Sequence, residues 1–459
     1  MAYLPQLRPS QIFALLCVLL AVATVGVTAD LQARVLAISL AGIALFATRS
    51  LPEATTALCV FLAFLAINAA PTNVIFSGFT VGGFWLLIGG LVIGAAISSS
   101  GLDRQIARRI FARTGSSYSR AVCFLSLGGV VLGLFVPSAI PRVIVMMPIT
   151  MALARTMGFT PMSRGYVGLI MTAALMTLVP TFAFLTANLP TIVEFGAAEV
   201  LYDVQVSYSA YLVQNLPISL VRFAVLLAML LMFGRGISSL NTTEMSDDAP
   251  EQLTRAQTRL MWLLAGAIGF WATDVWHGIA PSWVALTAGM ILLWPGFGVF
   301  TAQAIKSEID LSAAFFIAAV FCISAVMDSV GIGAGIARAV VPVLALGQHG
   351  SLWDMFATTG FSALLSHLTT SPAAPIVLAP LAGHMSDATS WSVTTIAMLQ
   401  NIGFSTTAIP YQSPPLLICI AMAQIPVGTL TRICLVSSVV ITAIGVPATW
   451  LWWMWLGLI

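Results

Sequence analysis

Charge is what this sequence has least of. Only 7% of its 459 residues are Asp, Glu, Lys or Arg, against roughly 25% in an ordinary soluble domain, which excludes a water-facing surface around most of the chain. Cysteine pairing is missing too. The six cysteines stand singly in apolar runs with no CxxC, so neither a disulfide framework nor a metal centre is expected. No HExxH, paired Asp or Ser/Lys constellation occupies the apolar segments, which argues against an embedded enzyme. The first apolar run has no small-residue cleavage site and is followed by others. It reads as a mature transmembrane helix.

What is present is hydrophobic, 59% of all residues. Stretches able to cross about 30 Å of hydrocarbon recur near 11–28, 33–50, 54–72, 83–100, 165–193, 213–233, 258–275, 281–298, 312–328, 393–425 and 434–456. The expectation is an all-α polytopic membrane protein with about eleven spans. Arg104, Arg108, Arg109 and Arg113 predict a short amphipathic helix on the cytoplasmic side, and the acids after Pro190 (Glu194, Glu199, Asp203) an outer loop. Residues 235–259 form a long polar loop placed inside by counting spans. The Trp-rich end reads as an interfacial belt.

Two parts of the chain repeat. A shift of 230 residues aligns Gly101 with Gly331, and Ile106, Ala107, Arg108 with Ile336, Ala337, Arg338. A segment ending at Pro148 matches one ending at Pro380, and LTANLP (185–190) matches YQSPP (411–415). The charges set the copies in opposite directions across the membrane. Between Arg113 and Arg155 the apolar stretch, interrupted by Pro137 and Pro141, predicts a re-entrant helical hairpin at about 116–152. Its mirror, with Pro372, Pro375 and Pro380, lies at about 353–386. Each hairpin precedes a span broken by prolines. Such breaks free backbone carbonyls that hydrocarbon cannot satisfy, and paired inverted breaks are the architecture of secondary transporters. The expected organisation is scaffold helices over 1–80, a first repeat over 81–200, scaffold and cytoplasmic loop over 201–300, a second repeat over 301–430, and a C-terminal helix over 431–459.

FSGFTVGGFWLLIGGLVIGAAISSSGLDRQIARRI (76–110), followed by hairpins ending in MMPI and LAPL, resembles the divalent anion/sodium symporter family of the ion transporter superfamily. The resemblance runs from about 35 to 445 and rests on layout. It implies a homodimer with a mobile transport domain moving dicarboxylates, citrate or sulfate by an elevator motion, most members using sodium. The family's Ser-Asn-Thr signature at each hairpin tip falls here on Ser138, Ala139, Ile140 and on Thr370, Ser371, Pro372. Each copy keeps the first hydroxyl and lacks the Asn and the Thr. By the same resemblance, Thr186, Asn188, Gln412 and Ser413 are the polar liners of the broken spans.

Arg142 stands in the apolar run LFVPSAIPRVIVMMPI. A charge at the bilayer centre costs at least about 2.5–3.5 kcal/mol, so it needs a use: contact with an anion, structural pairing, or snorkelling, of which anion contact leads. Its fork suits carboxylate, sulfate, sulfonate or phosphonate, and its charge stands where sodium supplies charge in relatives. The hydroxyls of Ser138, Thr370, Ser371, Thr406 and Thr407 remain as oxygens for a Na+ site near Ser138 and Thr370, and His367 is the candidate for proton coupling. The expected function is secondary transport of a small anion with sodium coupling reduced or lost; the alternatives are an anion channel or uniporter, or a proton-coupled carrier. No cofactor beyond Na+ as coupling ion is expected, and no nucleic-acid partner. The expected setting is a bacterial inner membrane with the N-terminus cytoplasmic.

Overall fold

The structure, a computed structural model, describes residues 9–48, 50–102, 105, 117–136, 138–237, 252–294, 296–297 and 311–459. The expectations for the arginine cluster at 104–113, for Pro137 and for most of the 235–259 loop fall outside these residues. Among the described residues there are helices and connections but no strand, as hydrocarbon demands of a chain whose backbone must bond within each segment. Eight helices are long and apolar enough to cross a membrane, and six more are apolar but shorter.

In chain order α1 (Pro9–Val27), α2 (Leu31–Thr48) and α3 (Glu53–Ala66) lead to α4 (Gly82–Ser100). The first hairpin is α5 (Tyr118–Phe135) and α6 (Ala139–Thr156), with arms ending later than the expected 152. The first broken helix follows as α7 (Arg164–Leu178), a 3-10 turn at Pro180–Ala183, and α8 (Leu189–Tyr202). Helices α9 (Tyr208–Gln214), α10 (Leu216–Phe233), α11 (Arg255–Ala272) and α12 (Pro281–Leu293) intervene. The order then recurs: α13 (Ser312–Ser329), α14 (Ile332–Leu344), the second hairpin α15 (Ser351–Leu368) and α16 (Ala374–Thr389), then a second broken helix. This one comprises α17 (Val393–Phe404), a 3-10 turn at Pro410–Gln412, and α18 (Pro414–Ala423). α19 (Val427–Trp455) closes the chain.

The glycines that the 230-residue shift aligns adopt one conformation. Gly101 ends α4 at φ 68° and Gly331 ends the turn after α13 at φ 79°, a left-handed geometry that residues with a Cβ adopt at a cost. The broken helices form the centre of the molecule. α7 is buried from Gly165 to its end, with α5 and α6 both packed on it, and α8 packs against α4, α13, α16 and α17.

Prolines inside helices show how freed carbonyls are satisfied. Pro380 has no N–H for Ile376, whose carbonyl instead accepts from Ser324 at 3.3 Å. Nearby carbonyls of α16 are also taken: Leu378 by Gln400 at 2.9 Å, and Ala379 and Pro380 by the Tyr202 hydroxyl, each at 3.0 Å. Neighbouring helices thus supply the donors that proline removes.

One expectation is corrected here. Glu194 and Glu199 lie within α8, with Glu194 fully buried, rather than in an outer loop; the apolar residues around Glu194 carry the helix on past Pro190, which starts helices well. The tryptophans near the C-terminus make specific bonds beyond any interfacial role. Trp450 donates to Ser351 at 2.8 Å, and Trp452 and Trp453 donate to the carbonyls of Val213 and Gln214, each at 2.9 Å. These bonds pin α19 to α9 and to the start of the second hairpin.

Candidate functional site: helix starts joined at two breaks

At the tip of the first hairpin, Val136 at the end of α5 and Ser138 at the start of α6 are extended. Arg142 lies in the first turn of α6 and is 1% exposed. One guanidinium nitrogen, Nη1, donates to the carbonyls of Val136 at 3.0 Å and Gly133 at 3.5 Å. These belong to the C-terminal end of α5, where orphan carbonyls and the helix dipole favour a cation. The other, Nη2, donates to Thr181 Oγ1 at 3.1 Å and Asn188 Oδ1 at 3.0 Å. Asn188 Nδ2 donates in turn to Thr181 at 3.2 Å. Arg142 therefore fastens the start of α6 to Asn188, the residue that begins α8.

The second hairpin and the second broken helix are joined without an arginine at the tip. Ser371 N donates to the Gln412 carbonyl at 3.1 Å, and Ser371 Oγ to the Phe404 carbonyl at 3.2 Å. Gln412 Nε2 reaches Ser366 at 2.9 Å, while its Oε1 accepts from the N–H groups of Ala408 and Ile409 at 3.1 and 3.2 Å. The start of α16 is thereby tied to the start of α18. None of the four helices α6, α8, α16 and α18 has a side-chain cap bond at its N-terminus. Open N–H groups at helix starts favour anions.

A second buried arginine completes the arrangement. Arg222 of α10 donates Nη2 to the Ile402 carbonyl at 3.1 Å and to Ser405, at the C-terminal end of α17. Its guanidinium carbon lies 5.8 Å from the centre of the Phe182 ring. Arg142 and Arg222 thus meet adjacent residues of one turn, Thr181 and Phe182. The halves are bridged by Tyr211, whose hydroxyl donates to the Phe182 carbonyl at 2.7 Å and accepts from Asn401 at 2.7 Å, and by Thr191 donating to Asn401 at 3.1 Å. No carboxylate pairs with either arginine among the described residues.

The structure brings Arg142 and Asn188 together, and Ser371 and Gln412 together, as separate clusters. Ser138 and Ser413 begin α6 and α18. Ala139 is buried and Ile140 half-buried in the first turn of α6, Thr186 is buried in the first break, and Thr370 and Pro372 are half-buried at the second tip. Thr406 and Thr407 are buried and bonded to their own segment, to the Ile402 carbonyl at 2.9 Å and the Ser405 carbonyl at 3.5 Å. His367 Nδ1 pairs with the Ala363 carbonyl of its own helix. Among the described residues no group of three His, Cys, Asp or Glu side chains is placed to hold a metal ion.

Sequence reasoning missed Thr181, Ser366, Arg222 and Glu194. Arg222 carries the signal that exposed Arg142, a lone cation inside an apolar run. Glu194 has both carboxyl oxygens buried and without a hydrogen-bond partner.

Residues 43–400 match the family model described as citrate transporter. A "membrane protein" of Cupriavidus necator is 24% identical over 394 residues, 83% of this chain and 76% of its own length. An "uncharacterized transporter" of Haemophilus influenzae is 22% identical over 423 residues, 89% of both chains. Two solved structures share the fold. The YdaH transporter of Alcanivorax borkumensis superposes with TM-score 0.57 at 18% identity, covering 84% of this chain and 88% of its own. MtrF of Neisseria gonorrhoeae, titled as illuminating a class of antimetabolite efflux pumps, gives TM-score 0.56 at 15% identity, covering 98% and 96%.

Proposed function

The chain belongs to the citrate transporter family, within the ion transporter superfamily, and from that premise we propose that it carries a small carboxylate-bearing anion by an elevator motion without sodium. It is an integral membrane transporter and not an enzyme. The resemblance to the divalent anion/sodium symporters holds at the level of the superfamily; the matched family is the citrate transporters. In our reading the protein is a homodimer in a bacterial plasma membrane, the N-terminus cytoplasmic, built from about eleven spans and two re-entrant hairpins in an inverted repeat. All four compared proteins come from bacteria.

One observation carries the reading: Arg142 joins the open starts of α6 and α8. A carboxylate set against those N–H groups gains their hydrogen bonds and the field of a fixed cation, with Arg142 Nε uncommitted as a further donor. The same geometry supports the loss of sodium. The carbonyls at the end of α5 that would coordinate an alkali cation already accept from Arg142, and Ile402 at the end of α17 accepts from Arg222. Two guanidinium groups therefore hold the positions of two cations.

The reading is tested by melting the purified protein with citrate, C4-dicarboxylates and sulfate. A ligand stabilises the state it binds, by about 2.7 kcal/mol at a hundredfold excess over Kd. At least one of these anions should raise the melting temperature of the wild type, and Arg142→Gln should abolish the rise while the dimer persists. Equal stabilisation of both proteins would contradict the assignment.

A second reading concerns the driving ion, and Glu194 favours it. A carboxylate with neither oxygen partnered costs several kcal/mol in such surroundings; taking up a proton removes that cost. In a proton-coupled carrier Glu194 is the proton-binding group. Titratable side chains on its own helix and on those packed against it are Glu199, Tyr202, Cys322, Asp328, His384 and Asp387.

A further inference from the structure

Beside Arg222 lies a small cavity, lined by both polar and apolar side chains, that the transport reading does not use. It is about 10 Å³, room for a single water-sized particle. Arg222, Ser405, Thr406, Thr407, Ser437 and Ser438 line it, and Leu175 and Ile441 help close its apolar side. Arg222 is 1% exposed, and both its Nε and Nη1 are buried without a partner. Three of the hydroxyls are committed: Ser405 donates to the Asn401 carbonyl, Thr406 to Ile402 and Ser437 to Cys434 at 3.0 Å. Thr407 makes only a 3.5 Å contact, so its proton remains available to a ligand.

We propose that Arg222 anchors a second anion site, separate from Arg142, that takes one small inorganic anion of halide size. Charge argues for an anion in place of water, because a buried guanidinium with no acidic partner among the described residues, and with Nε and Nη1 unpartnered, has its desolvation penalty of several kcal/mol only partly offset. Size decides which anion: a carboxylate brings its carbon chain, whereas a monatomic ion fits a space of this order once the hydroxyl rotors adjust. Donor chemistry agrees, since two guanidinium N–H groups and the Thr407 hydroxyl supply hydrogen bonds, and the fixed charge of Arg222 repels a cation from the surrounding hydroxyl oxygens. The site differs from that at Arg142, whose two terminal nitrogens already serve four acceptors. A halide here would neutralise the cation that caps α17 and hold α10, α17 and α19 together.

The test uses purified full-length protein in gluconate, an anion too large for the cavity, titrated with chloride or bromide at constant ionic strength. Gluconate itself bears a carboxylate, so the Arg142→Gln variant, in which the carboxylate site is lost, keeps the halide outcome distinguishable from the proposed function. The site predicts a saturable rise of about 2–4 °C in melting temperature for the wild type. Arg222→Gln should abolish the rise, Thr407→Val should weaken the apparent halide affinity about tenfold, and Arg142→Gln should keep the response. If Arg222→Gln does not fold, Thr407→Val with Ser438→Ala carries the same comparison. A flat wild-type titration would overturn the proposal. So would an unchanged response in the pocket variants, or a citrate response lost in Arg222→Gln without any halide effect, which would make the pocket part of the carboxylate site.

Discussion

Arg142 and Glu194 carry ionisable groups into the core for different reasons. Arg142 has no carboxylate partner among the described residues but four hydrogen-bond acceptors, so its burial is compensated by dipoles: two carbonyls at a helix end, a hydroxyl and an amide. Removing such a group leaves those acceptors unpaired, at about 1–3 kcal/mol for each buried one. Glu194 has no such compensation. If it binds the coupling proton, Glu194→Gln fixes the neutral form. The variant should retain exchange of labelled for unlabelled anion across proteoliposomes and lose its response to an imposed pH gradient. Gradient-driven uptake at the wild-type rate in Glu194→Gln would remove the carboxyl from coupling.

At the scale of elements, the hairpins meet the broken helices where glycine permits close approach. A Cβ at Gly403 of α17 would lie 2.4 Å from the Thr359 carbonyl oxygen of α15, and one at Gly133 of α5 would lie 2.2 Å from Thr181 Cγ2. The first contact is with backbone, which cannot turn aside. Gly403→Ala should therefore destabilise the protein by about 1–3 kcal/mol, the range for overpacking, whereas Gly26→Ala in α1, with open space around it, should melt with the wild type. Equal melting of the two variants would show that α15 and α17 separate freely.

These elements were largely legible in the sequence because proline is explicit about where a helix stops. Both hairpin tips and both breaks fall where Pro141, Pro180, Pro190, Pro372, Pro410 and Pro414 announce them, and the aligned glycines at 101 and 331 share a left-handed turn. The site was legible only in part. Arg142 stands out against apolar neighbours and Asn188 is among the liners that the resemblance implies, yet their partner Thr181 looks like any helical threonine. Arg222 carries the same lone-cation signal in LPISLVRFAVLL, but that run is neither a hairpin nor a broken span, so nothing local ties it to the site. Its role depends on Ile402 and Ser405, 180 or more residues away. Glu194 was misplaced because acids following a proline resemble a loop, and only packing by four helices shows otherwise.

At the scale of the whole molecule, the account says that two immobile guanidinium groups do the electrostatic work of two mobile cations. In the proposed cycle Arg142 keeps its positive charge whether the carboxylate site is loaded or empty, so transport does not wait for sodium. The direct measurement is uptake of radiolabelled citrate or dicarboxylate, whichever the melting screen selects, into proteoliposomes containing the wild-type protein. Initial rates are compared between an inward sodium gradient and its replacement by choline. The account predicts rates equal within error in the two media; uptake that vanishes in choline and returns with sodium would contradict it.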